Sequence, residues 1–278
     1  MRRRPGGLAL AGLGGVAVLA LVAVLGPALA PFDPLASAAG PALAPPSARH
    51  WAGTDQIGRD VASRLLHAAR LDLRLALGAV ALSAGVGATL GALSGYAGGW
   101  ADRVLGRLVE VAMAFPLFVL AMALIAVLGP SERAIVLATA AINLPVFIRL
   151  ARSETAARRS AGWVEAARLA GNGPVRVVTR FLLPEIAPLL AVQASVTLGW
   201  ALLNAAGLSF LGLGIAPPTA EWGIMVAEGA RYLAAGKWWL TACPGLAIAA
   251  SVLCFSLAGD ALRDLAAPGA GGARRSRG

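Results

Sequence analysis

Long uncharged apolar runs alternate along this chain with shorter stretches that carry nearly all of its charges. Five of the six uncharged runs reach the roughly 20 residues that an α-helix needs to cross a bilayer. The runs are Pro5 to Phe32, Leu75 to Ala101, Val111 to Ser131, Ala134 to Ile148, Ile186 to Ala220 and Trp238 to Gly259. The pattern therefore predicts an all-α polytopic membrane protein with six transmembrane helices.

The run from Ala134 to Ile148 is the weakest of the predicted spans. It is short and contains Asn143 and Pro145, so a buried or re-entrant segment is the alternative at this point. Small residues interrupt the other runs, as in the stretch GVGATLGALSGYAGG at residues 85–99. Because small residues let helices approach one another closely in lipid, we expect the spans to pack as a bundle.

Composition agrees with a membrane protein and also assigns its sides. Hydrophobic residues make up 58% of the 278 residues and charged residues only 14%, against about 25% in ordinary soluble domains. Six spans put both termini on one side, and most of the 24 basic residues fall on that side. Basic residues concentrate in the cytoplasm, so we expect both termini there. They flank spans instead of forming one basic face, which argues against nucleic-acid binding.

The first 32 residues have two interpretations. Arginines, an apolar core and the small-residue sequence Ala28-Leu29-Ala30 are typical of a signal peptide. The apolar run is longer than the usual signal core of about 7 to 15 residues, which favours an uncleaved first transmembrane helix. Residues 33–72 follow as a segment outside the membrane, and the Pro/Ala-rich beginning of this segment predicts an extended conformation.

The chain has few residues suited to metal or redox chemistry. Cys243 and Cys254 lie about three turns apart on one predicted helix, too far from each other for a disulfide. His50 and His67 stand without the clustered partners that a zinc site requires. We therefore expect neither a metal nor a cofactor.

A polar segment at residues 153–188 separates two of the apolar runs. Ser160 to Ala170 predicts a short helix with Ser160 as its N-cap. Gly171 ends this helix, and Pro174 begins a second one. The predicted apolar side of the second helix contains Val175, Val177, Val178, Phe181 and Leu182. The result is two short helices at an angle, which we call the elbow (residues 160–182).

The elbow has exposed apolar surface that lipid does not cover. Two partners suit such a surface: a cytoplasmic protein, or the anionic membrane surface, which Arg176 and Arg180 also favour. The pattern alone does not choose between them. Within the first helix, Arg168 follows Glu165 at the i, i+3 spacing of an ion pair.

Several stretches resemble one protein family. Glu165-Ala166-Ala167, Gly171 and the pair Leu183-Pro184 resemble the EAA loop of the inner-membrane permease subunits of bacterial ABC importers. Residues 50–70, 95–116, 208–229 and 244–264 are similar to the dipeptide/oligopeptide (peptide/nickel) branch of that family, and specifically to its C-type subunit. The resemblance covers nearly the whole chain after residue 50.

The resemblance implies a type I ABC importer permease fold in the bacterial inner membrane. It implies a permease core at residues 73–265, a cytoplasmic coupling loop at 153–188 and a basic cytoplasmic tail at 266–278. In that family the loop docks on an ATP-binding subunit, and the residues implied to do so here are Glu165, Ala166, Ala167, Arg168, Gly171, Leu183 and Pro184. Asn172-Gly173 stands where the family often has Ala-Ser, so the second helix lacks a Ser cap.

The resemblance also implies partners. They are a homologous B-type permease subunit, two ATP-binding cassette ATPase subunits and an extracytoplasmic substrate-binding protein. Membrane lipid is a further partner and surrounds the spans. Outside the spans, the binding protein is expected to contact Glu221, Trp222 and Glu228, with an interfacial aromatic residue and solvated acids as the alternative. Polar residues within spans either join helices or line a pathway, and the candidates are Asn143, Gln193, Thr197, Asn204 and Ser209.

Together these features predict the permease subunit of an ATP-driven importer, forming half of the pathway for peptides or similar small solutes. The only lysine, Lys237, lacks the neighbours of a phosphate-binding loop, so ATP hydrolysis must occur on partner chains. The alternative is an ATP-independent secondary transporter or channel, for which we expect ionisable residues within the spans. The six runs contain none. Dipeptides, oligopeptides, nickel and glutathione all stay open as substrates.

Overall fold

Helices are the dominant element of residues 7–266, the part of the chain that this computed structural model describes. Within those residues the only β feature is an isolated bridge between Thr54 and Asp60. The α-helices are α1 (Gly7–Leu29), α2 (Val61–Ala97), α3 (Gly99–Ala114), α4 (Leu117–Leu128), α5 (Glu132–Arg158), α6 (Gly162–Leu169), α7 (Pro174–Val177), α8 (Leu183–Phe210), α9 (Trp222–Ala230) and α10 (Trp239–Ala266). A π-helical turn (Val178–Leu182) joins α7 to α8, and a 3₁₀ turn (Leu233–Ala235) precedes α10. The predicted basic tail, from residue 267 onward, lies outside the described residues.

Five helical segments are long and apolar enough to cross a membrane. They are α1, α2, α5, the continuous segment Pro174–Phe210, and α10. Helices α3 and α4 meet the same criterion together, although a bend of 94° separates them. Counted as one broken span, this pair brings the described part of the chain to the six spans that the sequence predicts.

The weak span is a different one from the span that the sequence indicates. The run from Ala134 to Ile148 lies inside α5, a largely buried helix of 27 residues. The run is short because both ends of α5 carry charges, and the helix itself is unbroken. The broken span precedes it: Phe115 is extended immediately before Pro116, and α3 ends there. Proline disfavours helical geometry in the residue before it, which accounts for the break.

Helices α2 and α5 pack backbone to backbone at the centre of the bundle. Gly87, Gly91 and Gly95 recur every four residues on the face of α2 that contacts α5. A Cβ atom at Gly91 would lie against the carbonyl of Ile148, and one at Gly95 against the carbonyl of Arg152. The small-residue packing predicted for residues 85–99 is therefore confirmed.

Helix α1 packs along α10 and against the beginning of α2. Gly12 and Gly15 face Leu257 and Cys254 of α10, where added Cβ atoms would meet atoms of those residues. This packing is the arrangement expected of an integral transmembrane helix. Cys254 and Cys243 both lie in α10, and both are free thiols.

Residues 31–60 fold together with the first turns of α2 and with residues 221–238 over one end of the bundle, and we call this part the crown. The predicted extended conformation is wrong, because turns and hydrogen bonds order this segment and both Thr54 and Asp60 are fully buried. Helix α2 begins at Val61, so the later part of the predicted external segment is helical. At 1.5 Å per residue the 37 residues of α2 extend roughly 55 Å, against a bilayer core of roughly 30 Å. Helix α2 therefore reaches from the crown to the elbow at the opposite end.

Candidate coupling site

The first arm of the elbow is α6, an amphipathic helix of eight residues. Val164 and Ala167 are buried, whereas Glu165 and Ala166 are exposed. The N-cap position belongs to Ala161 and not to the predicted Ser160, and it provides no side-chain hydrogen bond. The three residues of the Glu-Ala-Ala sequence are thus divided between two faces, with only the third directed into the protein.

The first arm ends at a glycine turn, as predicted. Gly171 has a φ of 83°, in the left-handed region where any side chain is unfavourable. Its N–H donates to the Arg168 carbonyl at 2.9 Å. The backbone N and the Nδ2 of Asn172 both donate to the Ala167 carbonyl, at 3.3 Å and 2.9 Å. Asn172 therefore satisfies a carbonyl at the C-terminus of α6 that would otherwise lack a partner.

The second arm is the beginning of a span and not the separate short helix that the sequence predicts. Pro174 occupies the first turn of α7, and Gly173 precedes it at the N-cap. The helix continues through the π-helical turn into α8, giving 37 continuous residues. Pro184 accounts for the π-helical turn, because it lacks an N–H for the carbonyl of Arg180 and its ring crowds that carbonyl.

The inner face of the elbow packs against α2 and α5. Val175 and Phe181 do not belong to this face, because they are 64% and 37% exposed, so the predicted apolar side of the second arm is wrong at these two positions. The elbow is therefore attached to the bundle on one face only. Its buried side chains are Val164, Ala167, Val177, Val178 and Leu182, with Leu183 half-buried beside them, and they pack on Ala88, Ala92, Tyr96 and Ala151.

Arg168 joins the elbow to α2 and does not pair with Glu165. Its Nε donates to the Tyr96 hydroxyl at 2.7 Å, and its guanidinium carbon lies 5.0 Å from the centre of the Tyr96 ring. The contact combines a charge-assisted hydrogen bond with a cation–π interaction. The predicted pair between Arg168 and Glu165 is therefore wrong, and Glu165 has no ionic partner within residues 7–266.

A polar cluster lies beside Tyr96, where α2, α3 and α5 meet. Both carboxylate oxygens of Asp102 accept hydrogen bonds from Arg152, at 2.5 Å and 2.7 Å. Ser94 adds a hydrogen bond from its hydroxyl to Asp102 at 2.9 Å. Sequence reasoning missed Tyr96 and this cluster, since 50 residues separate the two ions and each reads as an ordinary charge flanking a span.

The outer face of the elbow exposes apolar and basic residues. Leu169 is 84% exposed and Trp163 43%. Apolar surface of this kind, next to polar residues, marks interaction sites on proteins. An open groove runs along the second arm, lined by Gly173, Pro174, Val175, Arg176, Thr179 and Arg180. The outer face therefore offers a partner both apolar contacts and positive charge.

The polar residues predicted inside the spans bond mainly within their own helices. Asn143 is buried, and its Nδ2 donates to the Thr139 carbonyl at 2.8 Å. Gln193 donates to the Thr197 hydroxyl at 3.1 Å, one turn further along α8. Asn204 is half-buried and Ser209 is buried, both in α8. These local bonds do not join neighbouring helices, so a pathway lining formed by these residues stays a prediction.

Glu221 and Trp222 are not the exposed residues that the sequence indicates. Glu221 is 1% exposed, and its Oε2 accepts a hydrogen bond from the Ile224 N–H at 2.7 Å as the N-cap of α9. Trp222 is 3% exposed, and its Nε1 donates to the Leu65 carbonyl at 3.2 Å. Both residues therefore hold the crown together, and neither offers its side chain to a binding protein.

Glu228 also forms ion pairs within the crown. Its Oε2 lies 3.3 Å from Arg59 and 3.5 Å from Arg64, and both arginines are almost fully buried. Side chains suited to metal binding do not gather in threes anywhere in residues 7–266. His50 instead contacts Asp60 at 2.8 Å.

A bundle of long apolar helices with one broken span and an exposed helical elbow defines a polytopic membrane protein. Comparison with known proteins gives the family. Residues 87–271 match the family described as the binding-protein-dependent transport system inner membrane component, and the chain belongs to that family. It is the permease component of an ABC importer, so the ATP-independent carrier or channel is not supported.

Three relatives match over most of their lengths. The probable D,D-dipeptide transport system permease protein DdpC of Escherichia coli (strain K12) is 41% identical over 257 residues, covering 92% of this chain and 86% of that protein. The di/tripeptide transport system permease protein DppC of Pseudomonas aeruginosa (strain UCBPP-PA14) is 40% identical over 265 residues, covering 92% and 87%. The nickel transport system permease protein NikC of Escherichia coli (strain K12) is 37% identical over 252 residues, covering 90% of each.

Proposed function

We propose that this chain forms half of a translocation pathway in the bacterial inner membrane, and that ATP-binding subunits drive it through the elbow. A homologous permease subunit supplies the other half, and an external binding protein delivers the substrate. The named relatives transport D,D-dipeptides, di- and tripeptides, and nickel. Short peptides or similarly small solutes are the corresponding substrate class for this chain. Both termini and the elbow lie in the cytoplasm, following the distribution of basic residues.

The two-faced elbow is the observation that supports this function best. The side chains of its inner face are buried against α2 and α5, and its second arm is continuous with α8. Closely packed interiors transmit displacement instead of absorbing it. A partner that binds the outer face and moves would therefore shift three spans together. Switching between inward and outward opening is a rigid-body change that such a displacement would bias.

Arg168 gives the first arm a directional attachment. The hydrogen bond to Tyr96 and the glycine turn at Gly171 fix where α6 sits relative to the end of α2. Glu165, Ala166 and Leu169 remain on the outer face for a partner. Ala167 acts differently from Ala166 in this proposal, because its side chain fills the space between the elbow and the bundle.

Ala166 and Ala167 are adjacent in the sequence but differ in exposure, and this difference provides the experiment. In a background with Cys243 and Cys254 replaced by alanine, Ala166→Cys places a thiol on the outer face, and Ala167→Cys places one on the inner face. We expect a thiol-reactive crosslinker in native membranes to join Ala166→Cys to an ATP-binding chain. Ala167→Cys, at a position only 7% exposed, should give little or no product.

The same experiment separates a protein partner from a lipid surface. Crosslinks from Ala166→Cys that reach no ATP-binding chain, or a thiol that reacts only with reagents dissolved in the membrane, would contradict the proposal. The elbow would then be an interfacial helix that lies on anionic lipid.

A further inference from the structure

Two buried carboxylic acids join α2 to α9 at a place that the coupling proposal does not use. Asp72 is 4% exposed and Glu221 is 1% exposed. The Trp222 N–H donates to Asp72 Oδ2 at 3.0 Å, and the Ile224 N–H donates to Glu221 Oε2 at 2.7 Å. The two acids are neighbours in the fold, because Asp72 is hydrogen-bonded to the residue that directly follows Glu221. Two neighbouring carboxyl groups can share a hydrogen bond only when one of them carries a proton.

Positive charge does not offset this pair. Within residues 7–266, the charged groups nearest to it along α2 and on the neighbouring elements have other partners, and α8 contributes the Ser209 hydroxyl. Two carboxylates in contact inside a protein cannot both be charged without a counter-ion. The neighbouring groups and their partners are Arg64 with Asp55 and Glu228, His67 with the Ser63 carbonyl, Arg70 with the carbonyls of Ala23 and Val24, Arg74 with Glu132, and Arg59 with Asp55 and Glu228.

Ser209 supplies a second, independent observation. The residue is 4% exposed, and its hydroxyl lies beside the Glu221 carboxyl without completing a hydrogen bond to any described residue. A buried hydroxyl without a partner is unfavourable and therefore uncommon. Its position suits a carboxyl group that changes its charge, since the hydroxyl can donate to Glu221 when Glu221 is ionised.

We propose that Asp72, Glu221 and Ser209 form a proton-binding site in which one proton, shared by the two carboxyl groups, fastens α2 to α9. Burial raises the pKa of Glu221, which is the direction that this sharing requires. The proton exchanges with water at the crown. Its loss leaves two like charges in contact, so the attachment of α9 to α2 weakens as the pH rises.

Thermal unfolding of the purified full-length chain tests the site. Between the ordinary carboxyl pKa of about 4 and the raised value, the folded protein holds a proton that the unfolded chain releases. The midpoint temperature should therefore fall as the pH rises from about 5 to about 8. In Asp72→Asn the amide donates to Glu221 without any proton, so this dependence should be lost. The control Glu110→Gln, an exposed acid on α3, should keep it.

Infrared spectroscopy gives a readout that does not depend on stability. The wild-type protein at neutral pH should show the carbonyl band of a protonated carboxyl group, and Asp72→Asn and Glu221→Gln should each lose it. Absence of this band in the wild type would overturn the proposal, even if both variants failed to fold. A band that persists in the variants, or a pH dependence unchanged in Asp72→Asn, would overturn it as well.

Discussion

The elbow and the crown place their charged residues in opposite ways. In the crown the charges are inside: Arg59 and Arg64 are 3% and 1% exposed, and Asp55 and Glu228 pair with them. In the elbow the apolar residues are outside, with Leu169 as the clearest example. Buried charges are tolerated only where the protein itself supplies their partners. The crown therefore supplies the partners of its buried charges from within one chain, whereas the elbow keeps its charges and part of its apolar surface outside.

The two regions should therefore respond differently to substitutions. The crown depends on the geometry of its polar groups, so removing one partner should lower the stability of the folded chain. In the proposed function the elbow acts through a partner chain, so a change there should reduce coupling more than it reduces stability. Matched substitutions at the two ends can test whether this division holds.

The largest loss of stability should come from Asp60→Ala in the crown. Asp60 is fully buried, caps α2 by accepting hydrogen bonds from the N–H and hydroxyl of Ser63 at 2.7 Å and 2.8 Å, and contacts His50. We expect a loss of about 3 to 5 kcal/mol in the free energy of unfolding, because a buried charged network loses its centre. Denaturant unfolding of the purified chain measures it.

Asp33→Ala is the matched control for Asp60→Ala. Asp33 is exposed and accepts a single hydrogen bond, from the Leu35 N–H at 2.8 Å. Loss of this hydrogen bond in Asp33→Ala should change the free energy of unfolding by less than about 1 kcal/mol. Similar small effects of both substitutions would show that the crown does not depend on its buried polar groups.

Gly171→Val and Gly236→Val apply the same backbone change to the two ends. Their φ angles are 83° and 74°, and neither glycine has another atom within 4 Å of an added Cβ. Each variant should lose about 1 to 2 kcal/mol of stability, since a side chain in the left-handed region is strained. Only Gly171→Val should abolish substrate-stimulated ATP hydrolysis by the assembled transport complex. Equal losses of hydrolysis in both variants would refute a special role for the elbow.

Local backbone chemistry explains what could be predicted from the sequence. The end of the first elbow helix and the beginning of the second follow from Gly171 and Pro174, whose conformational preferences do not depend on distant residues. The number of spans follows from long apolar runs, because a bilayer imposes a minimum length. These features need no knowledge of which helices meet.

Long-range pairing explains what could not be predicted. Glu228 lies 169 residues from Arg59, so its burial in an ion pair has no signature in the spacing of charges. Phe181 and Val175 match the apolar period of the second arm, yet they are exposed because the bundle covers only one side of it. The uncharged run also underestimates the length of α5, since a helix that extends beyond the membrane carries charges at its ends.

The smallest effect should come from replacing a tyrosine by phenylalanine. The chain has two tyrosines, Tyr96 beside the elbow and Tyr232 in the crown. Tyr96→Phe removes the acceptor for Arg168 Nε and leaves the ring beneath the guanidinium, so we expect a loss of about 1 kcal/mol and a partial loss of stimulated ATP hydrolysis. Tyr232→Phe in the crown should change neither, because the Tyr232 hydroxyl makes no hydrogen bond to the described residues. In an Arg168→Ala background, Tyr96→Phe should have no further effect on hydrolysis, since the two side chains act through one contact. Additive effects of Tyr96→Phe and Arg168→Ala would show that Arg168 acts on the ATP-binding partner directly and not through α2.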